Sequence, residues 1–349
     1  MECAAAGLRV IVAEPGPLGG GATAAGMGHI VVMDDSPAQI ALTLYSRTLW
    51  IGMREQLPAA IEYLPCGTIW VAADEQEMGE VHRKKNLYDG ISVRAEVLGP
   101  VELAEAEPHL RPGLAGGLLV PDDSTVYPPC AAAHFLNGAT VLRQKAIEIS
   151  GKGLILQDGT QISAAITVNA TGAWAPELTP GIAVRKRKGH LAITDRYAGF
   201  VKHALVELGY LKSAHSTSTD SVAFNAQPRR TGQILLGSSR QYGSEGREVE
   251  SSMLSRMLRR CVEYMPDLEV LTTVRTWTGF RAATPDKLPL IGPVPGDDRF
   301  YLATGHEGLG ITTSLATGRL VADSIVGRAS AIPPEPYLPG RKQQEEAHG

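Results

Sequence analysis

A short apolar run, Leu8-Arg9-Val10-Ile11-Val12-Ala13, ends in Glu14 and opens directly into a loop carrying Gly16, Gly19, Gly20, Gly21, Gly26 and Gly28. A β-branched run of this length, bounded by turn residues, reads as a strand buried in a parallel sheet. An acid at the end of such a strand accepts hydrogen bonds from ribose hydroxyls, and clustered glycines let backbone approach a ligand closely. Together they direct the chain toward an α/β nucleotide-binding sheet. The same acid, taken alone, also reads as a solvated strand end.

The glycine fingerprint that accompanies such an acid lies about 20 residues upstream of it, whereas 13 residues precede Glu14. The fingerprint would therefore fall before Met1, with the first strand and the helix N-terminus that holds a pyrophosphate. The stretch 19–24, Gly-Gly-Gly-Ala-Thr-Ala, fits GxGxxA formally but follows the acid, so it is read as a decoy. Three accounts stand: further residues upstream, a second chain that completes the sheet, or a non-catalytic remnant. The first is favoured, because the downstream segments are intact.

Composition narrows the function classes. A chain of 349 residues is long enough for two domains of about 150 residues each. With 33 basic and 37 acidic side chains, a formal charge of -4, no general basic field exists for nucleic acid. No apolar stretch approaches the roughly 20 residues of a membrane helix, and Arg9 interrupts the one early run that could be taken for a leader. Cys3, Cys66, Cys130 and Cys261 lie far apart, which signals neither zinc nor a redox dithiol and fits a reducing cytoplasm. GxSxG, HExxH and Walker A patterns are absent, so esterase, zincin and P-loop readings lack support.

Periodicity predicts a helix over 37–58 with Ile40, Leu44, Leu49 and Met53 on one face, strands at 66–72 and 117–120 around a helical middle, and a proline-started helix after 122–127. Segments 140–149, 153–157 and 165–169 read as a β-meander turning at Asp158-Gly159. Short strands follow to a hairpin at Thr231-Gly232, then a helix over 248–265 with Met253, Met257, Leu258 and Cys261 at helical spacing. The basic run 185–188 reads as a solvated lead-in to a strand. "TVNATGAW" leaves a strand through the small residues Ala170, Thr171 and Gly172, and "ATGHEGLGIT" passes from a strand through Gly305, Gly308 and Gly310 into a helix whose N-terminus favours negative charge. From Ala331 four prolines and then charges predict a mobile tail over 331–349.

In this order, "GLRVIVAE", "GGGATAAGMGHI", "VNATGAWA", "RKGHLAITDR", "TWTGFRAATPDKLPLIGP" and "RFYLATGHEGLGITTSLATGRLVADSI" resemble the FAD-dependent D-amino-acid oxidase family, with its glycine oxidase, sarcosine oxidase and D-hydroxyproline dehydrogenase branches. The resemblance covers nearly the whole chain. It implies an α/β fold: a Rossmann-like FAD-binding domain from 1–60, 135–180 and 275–330, and an α+β substrate domain with an antiparallel sheet from 61–134 and 181–274. It assigns the ribose to Glu14, the pyrophosphate and flavin to Gly21, Thr23, Ala24, Gly26, Met27 and Gly28, and the adenine side to Ile147. Ala170, Gly172 and Trp174 would complete the nucleotide wall, and Gly305, Gly308, Leu309, Gly310 and Ile311 would face the flavin's pyrimidine edge.

Arg281 is implied as the clamp on a substrate carboxylate, a role its planar fork suits; without the family, a surface arginine is the simpler reading. Asn225 stands where relatives often carry a tyrosine, and His29, His306 and Glu307 lie in flavin-facing loops. The implied reaction is hydride transfer from a small D-amino or secondary amino acid, of D-hydroxyproline, D-proline, glycine or sarcosine type, to FAD. The "GMGHIVVMDD" and "GFVKHALVELGYLKSAHS" segments add an electron-acceptor or iron-sulfur partner subunit, with peripheral membrane association compatible. For this chain alone, the displaced fingerprint predicts weakened FAD binding. An NAD-dependent dehydrogenase is the rival, and it leaves "GHEGLG" unexplained.

Overall fold

A computed structural model describes residues 1–209 and 220–341. Its largest layer is an eight-stranded sheet in the order β16 (Thr273–Ala283), β12 (Arg185–Arg196), β15 (Gln233–Arg240), β14 (Ser221–Pro228), β13 (Ala204–Glu207), β3 (Thr68–Ala72), β5 (Gly116–Val120) and β4 (Glu96–Leu98). All neighbours are antiparallel except β13 and β3, which run parallel. Every residue of β3, Thr-Ile-Trp-Val-Ala, is buried, as a strand covered on both faces requires. The hairpin between β14 and β15 turns through Gly232 at φ +85°, as Thr231-Gly232 predicts.

One face of this sheet is covered by a helix. Over Ser251–Tyr264, named α8 in chain order, Met253, Met257, Cys261 and Tyr264 recur at helical spacing and are buried. Met257, Cys261 and Tyr264 pack with Phe224, Leu236 and Ile234 of the sheet. The opposite face carries Arg187, Asn225, Gln227, Arg240 and Arg281, and it is this face that meets the glycine loops.

The glycine loops belong to smaller sheets. β1 (Ile11–Ala13) pairs in parallel with β7 (Thr140–Leu142), and β11 (Thr167–Asn169) pairs in parallel with β18 (Asp297–Thr304), which pairs with β17 (Leu290–Val294). A meander of β8 (Ala146–Ser150), β9 (Gly153–Leu156) and β10 (Gln161–Ser163) turns through Gly159 at φ +85°. Two expectations are corrected here. Segment 140–149 is two strands in different sheets, and 165–169 leaves the meander for a parallel pairing, because its buried Thr167 and Asn169 suit an inner strand. A short bridge joins β2 (His29–Ile30) to β6 (Ser124–Thr125).

Helices close the layers. α1 (Glu2–Ala5) ends at Gly7 with φ +85°, and α2 (Ala22–Ala25) sits in the first glycine loop. α3 (Pro37–Met53) starts at Ser36, whose Oγ accepts from Gln39 N, and α4 (Glu75–Gly90) starts at Asp74, which accepts from Glu77 N. Such side-chain caps satisfy otherwise orphaned N–H groups. α5 (Pro100–Ala106), α6 (Pro128–Phe135) and α7 (Ala175–Leu178) each carry proline in the first turn, where no amide hydrogen is needed. α9 (Ser314–Val326) packs on α3 through Leu42, Ala316 and Leu320.

α3 buries a different face from the one periodicity predicts: Gln39, Leu42, Thr43, Ser46, Arg47 and Trp50 point inward. Ser46 Oγ accepts from Ala316 N, and Arg47 donates to the buried Asp123, so polar pairing outweighs the apolar count. The tail is corrected too. Tyr337 is 1% exposed and its hydroxyl donates to Ala38 O, while Arg341 pairs with Asp286 at 2.8 Å. Residues 331–341 therefore strap the α3–α9 layer, and 342–349 lie outside the described residues, as do 210–219.

Candidate functional site

A cavity of about 240 Å³ lies between the polar face of the large sheet and two loops, 22–29 and 307–312. Its shape depends on glycine at three contacts. A Cβ on Gly279 of β16 would stand 2.3 Å from Ala25 Cβ, so α2 rests directly on the strand. A Cβ on Gly28 would stand 2.0 Å from Val126 O, at a φ of +89°. A Cβ on Gly189 of β12 would meet Arg281 Nη1 at 2.3 Å. The Arg281 guanidinium thus lies flat across β12 and donates to Ser239 O of β15 at 2.9 Å.

The cavity is electrostatically biased. Arg187, Arg240, Arg281 and Lys287 line it against Asp35 and Glu307, a surplus of two positive charges among the described residues. Arg187 and Arg240 are each 5% exposed. Glu307 is set between them, with Oε1 3.2 Å from Arg187 Nη1 and 4.0 Å from Arg240 Nε. Burial pushes the Glu307 carboxyl up, but Arg240, Arg281 and Arg187 outweigh it and hold it below its usual range. A surplus of this sign, with Arg187 and Arg240 buried, attracts an anionic ligand.

His29 closes another wall. Its Nε2 is 2.7 Å from Thr68 Oγ1, and burial pushes its pKa down to about 4, so the ring is neutral. Behind it Arg47 Nη1 donates to Asp123 Oδ1 at 2.7 Å, and burial pushes the Asp123 carboxyl up to about 6. Several polar atoms on the cavity floor have no hydrogen-bond partner among the described residues: Trp70 Nε1, Asn225 Oδ1 and both amide atoms of Gln227. Buried polar groups are nearly always paired, so these await a ligand or water.

The second loop, 305–313, is built of turns. Glu307, at φ +48°, donates its N–H to Ala282 O, and Gly308 N donates to Glu307 Oε2. Gly308 and Gly310 are exposed, and no hydrogen bond within the described residues uses the N–H of Gly310 or Ile311. The expected order of strand, glycine loop and helix holds: 305–313 join β18 to α9, which begins at Ser314, and the turns of this loop lie ahead of the helix. Turn N–H groups serve the same end, as an anion-binding concavity.

Of the residues expected at the site, the structure brings Thr23, Gly26, Met27, Gly28, Asn225, Arg281, Gly308, Leu309, Gly310 and Ile311 to the cavity wall. Glu14, Gly21, Ala24, Ile147, Ala170, Gly172, Trp174 and Gly305 lie outside it. Glu14 Oε1 accepts from Gly16 N at 2.9 Å, and Ile147 is 48% exposed. His306 is not among the wall residues either; its Nε2 lies 2.9 Å from Thr317 Oγ1 of α9.

The sequence reading missed Trp70, Arg187, Gln227 and Arg240. Arg187 and Lys188 of the "solvated" run are 5% and 1% exposed, Lys188 being held by Glu250 Oε1 at 2.8 Å. The signal was present in β14, where Asn225 and Gln227 alternate with apolar neighbours, two positions apart on one face.

Comparison with known proteins gives one consistent set of relatives. The family model described as FAD dependent oxidoreductase (DAO) matches residues 1–324. Glycine oxidase of Geobacillus kaustophilus (strain HTA426) is 28% identical over 351 residues, covering 94% of this chain and 89% of that protein. A crystal structure of glycine oxidase from Geobacillus kaustophilus superposes with a TM-score of 0.86 at 26% identity, over 98% of this chain and 94% of that one. A D-amino acid dehydrogenase of Xanthobacter autotrophicus (strain ATCC BAA-1158 / Py2) is 29% identical, covering 84% of this chain and 71% of its own length. The hydrogen cyanide synthase subunit HcnC of Pseudomonas aeruginosa PAO1 is 27% identical, covering 89% and 76%.

Proposed function

The chain belongs to the FAD-dependent oxidoreductase (DAO) family, and from that premise we propose that it oxidises the C–N bond of a small D-amino or secondary amino acid, with the cavity as its active site. The observation that carries this is Arg281, laid across Gly189 and anchored on Ser239 O in a cavity with a positive surplus. A guanidinium anchored in this way is already ordered, so holding a carboxylate would cost it little further side-chain freedom.

The cradle suits FAD. Gly26, Gly28 and Gly279 let the first glycine loop pack close on Ile311, Val126 and β16, the N–H groups of Gly310 and Ile311 carry no hydrogen bond among the described residues and would serve a ring-edge acceptor, and Glu14 keeps an oxygen for a ribose. Gly21, Ala24, Ala170, Gly172, Trp174, Ile147 and Gly305 would flank the rest of the dinucleotide, outside the cavity. When bound, FAD supplies the hydride acceptor. The protein's part is to fix the carboxylate at Arg281 and hold the substrate against the flavin in a cavity that Met27, Leu309 and Ile311 also line. In this reading 1–60, 135–180 and 275–330 form the FAD unit, and 61–134 with 181–274 form the substrate unit.

Likeness to the hydrogen cyanide synthase subunit supports a partner subunit that accepts electrons, an iron-sulfur protein among the candidates. The described helices include none long and apolar enough to cross a membrane, and four free cysteines favour a reducing, cytoplasmic setting. The test is a visible spectrum of the purified protein with FAD, before and after anaerobic addition of D-amino acids. Flavin bleaching is the expected result. Absence of flavin uptake would favour a non-catalytic remnant, and nicotinamide turnover would favour the dehydrogenase rival.

A further inference from the structure

Three uncharged side chains that line the cavity, Trp70, Asn225 and Gln227, carry four buried polar atoms with no hydrogen-bond partner among the described residues. Two are donors, Trp70 Nε1 and Gln227 Nε2, and two are acceptors, Asn225 Oδ1 and Gln227 Oε1. Trp70 is 2% exposed and Gln227 is fully buried. Strand register groups them. Val206 of β13 pairs with Trp70 on one side and Asn225 on the other, and Gln227 follows two residues along β14 on the same face. All three residues line the cavity that holds Arg281.

We propose that this array is a side-chain recognition lobe for a primary carboxamide, so that the preferred substrate is an amino acid of D-glutamine or D-asparagine type. The assignment rests on the oxidation reading above. A primary carboxamide accepts through its oxygen and donates through two N–H groups; its oxygen takes Trp70 Nε1 and Gln227 Nε2, and its nitrogen serves Asn225 Oδ1 and Gln227 Oε1. A carboxylate has no donor and would leave both acceptors unmet, and an alkyl group would leave all four.

Spacing agrees with this length of substrate. Arg281 reaches Ser239 O on β15, and Asn225 and Gln227 stand opposite Gly237 and Leu235 of that strand. One strand spacing and two or four residues of rise put their backbones roughly 8 and 14 Å from the guanidinium anchor. Glycine or sarcosine, bound at Arg281, is too short to reach them.

The test uses the FAD-loaded protein under anaerobic conditions, with flavin bleaching by D-glutamine, D-glutamate and D-norleucine as the kinetic readout. Binding of glutaramate and hexanoate, neither of which carries an amino group to oxidise, is followed by perturbation of the flavin spectrum. D-Glutamine is expected to outperform D-norleucine roughly tenfold or more, with glutaramate favoured over hexanoate. Gln227→Met should bring both ratios close to one, and Trp70→Phe, which removes only the indole donor, should lower them part of the way. Equal efficiency for the three amino acids together with equal binding of the two acids overturns the lobe. So does a Gln227→Met protein that loses FAD affinity and keeps the ratios, which would assign the amide to the cofactor. Failure of every D-amino acid to bleach the flavin, with glutaramate still preferred, refutes the oxidase reading and leaves the lobe standing.

Discussion

Single residues carry most of the chemistry, and two predictions belong to them. Arg281→Met removes a fork whose charged hydrogen bonds to a carboxylate are each worth about 1.5 to 3 kcal/mol. Steady-state kinetics should show kcat/KM down roughly 10- to 100-fold, mainly through KM, with flavin content retained; unchanged KM would remove Arg281 from the carboxylate. Two partly buried histidines shape the acid limb of stability. His29 and His306 titrate at about 4 in the fold against 6.5 for a free imidazole. Between those values the unfolded chain binds more protons, so their contribution is intact above pH 6.5 and is lost as the pH falls toward 4. Asp123, raised to about 6, acts in the opposite sense, and two histidines outweigh it. Melting temperature should therefore drop from pH 6.5 to 4, with a shallower slope in His306→Gln and a steeper one in Asp123→Asn.

At the scale of elements, the decisive contact is α2 on β16. Gly279→Val places atoms where Ala25 sits, and overpacking of this kind costs about 1 to 3 kcal/mol. Both the melting temperature and the ratio of 450 nm to 280 nm absorbance in protein purified with FAD should fall, because α2 lies in the loop that lines the cavity proposed to hold the flavin. Gly79, in α4, has no atom within 4 Å of a would-be Cβ. Gly79→Ala is the control, and should hold or slightly raise the melting temperature, since glycine is a poor helix former. Elements with a strong period were readable beforehand: α8 through Met253, Met257 and Cys261, the β14–β15 hairpin through Thr231-Gly232, and α6 through its prolines. α3 was readable as a helix but not as to its buried face, because the partners that make Arg47 and Ser46 inward, Asp123 and Ala316, are 76 and 270 residues away in the chain.

For the whole molecule, the cavity joins chain segments that are far apart in sequence, 22–29, 187–191, 225–240 and 279–312. A ligand that touches all of them stabilises the fold by mass action, about 2.7 kcal/mol at a hundred times its dissociation constant. Thermal melts in rising FAD should show a progressive increase, and a flat response would contradict FAD binding in this cavity. The sequence by itself determined the α/β class, the glycine loops, the end of β1 at Glu14 and the family to which those motifs belong, because each rests on residues close together in the chain. Only tertiary structure decided that Arg187 and Arg240 turn inward around Glu307, that His306 meets Thr317 of α9, and that the proline-rich tail is held by Tyr337 and Arg341. Those outcomes depend on burial and on opposite charges brought together by sheet register, and neither is encoded in local spacing.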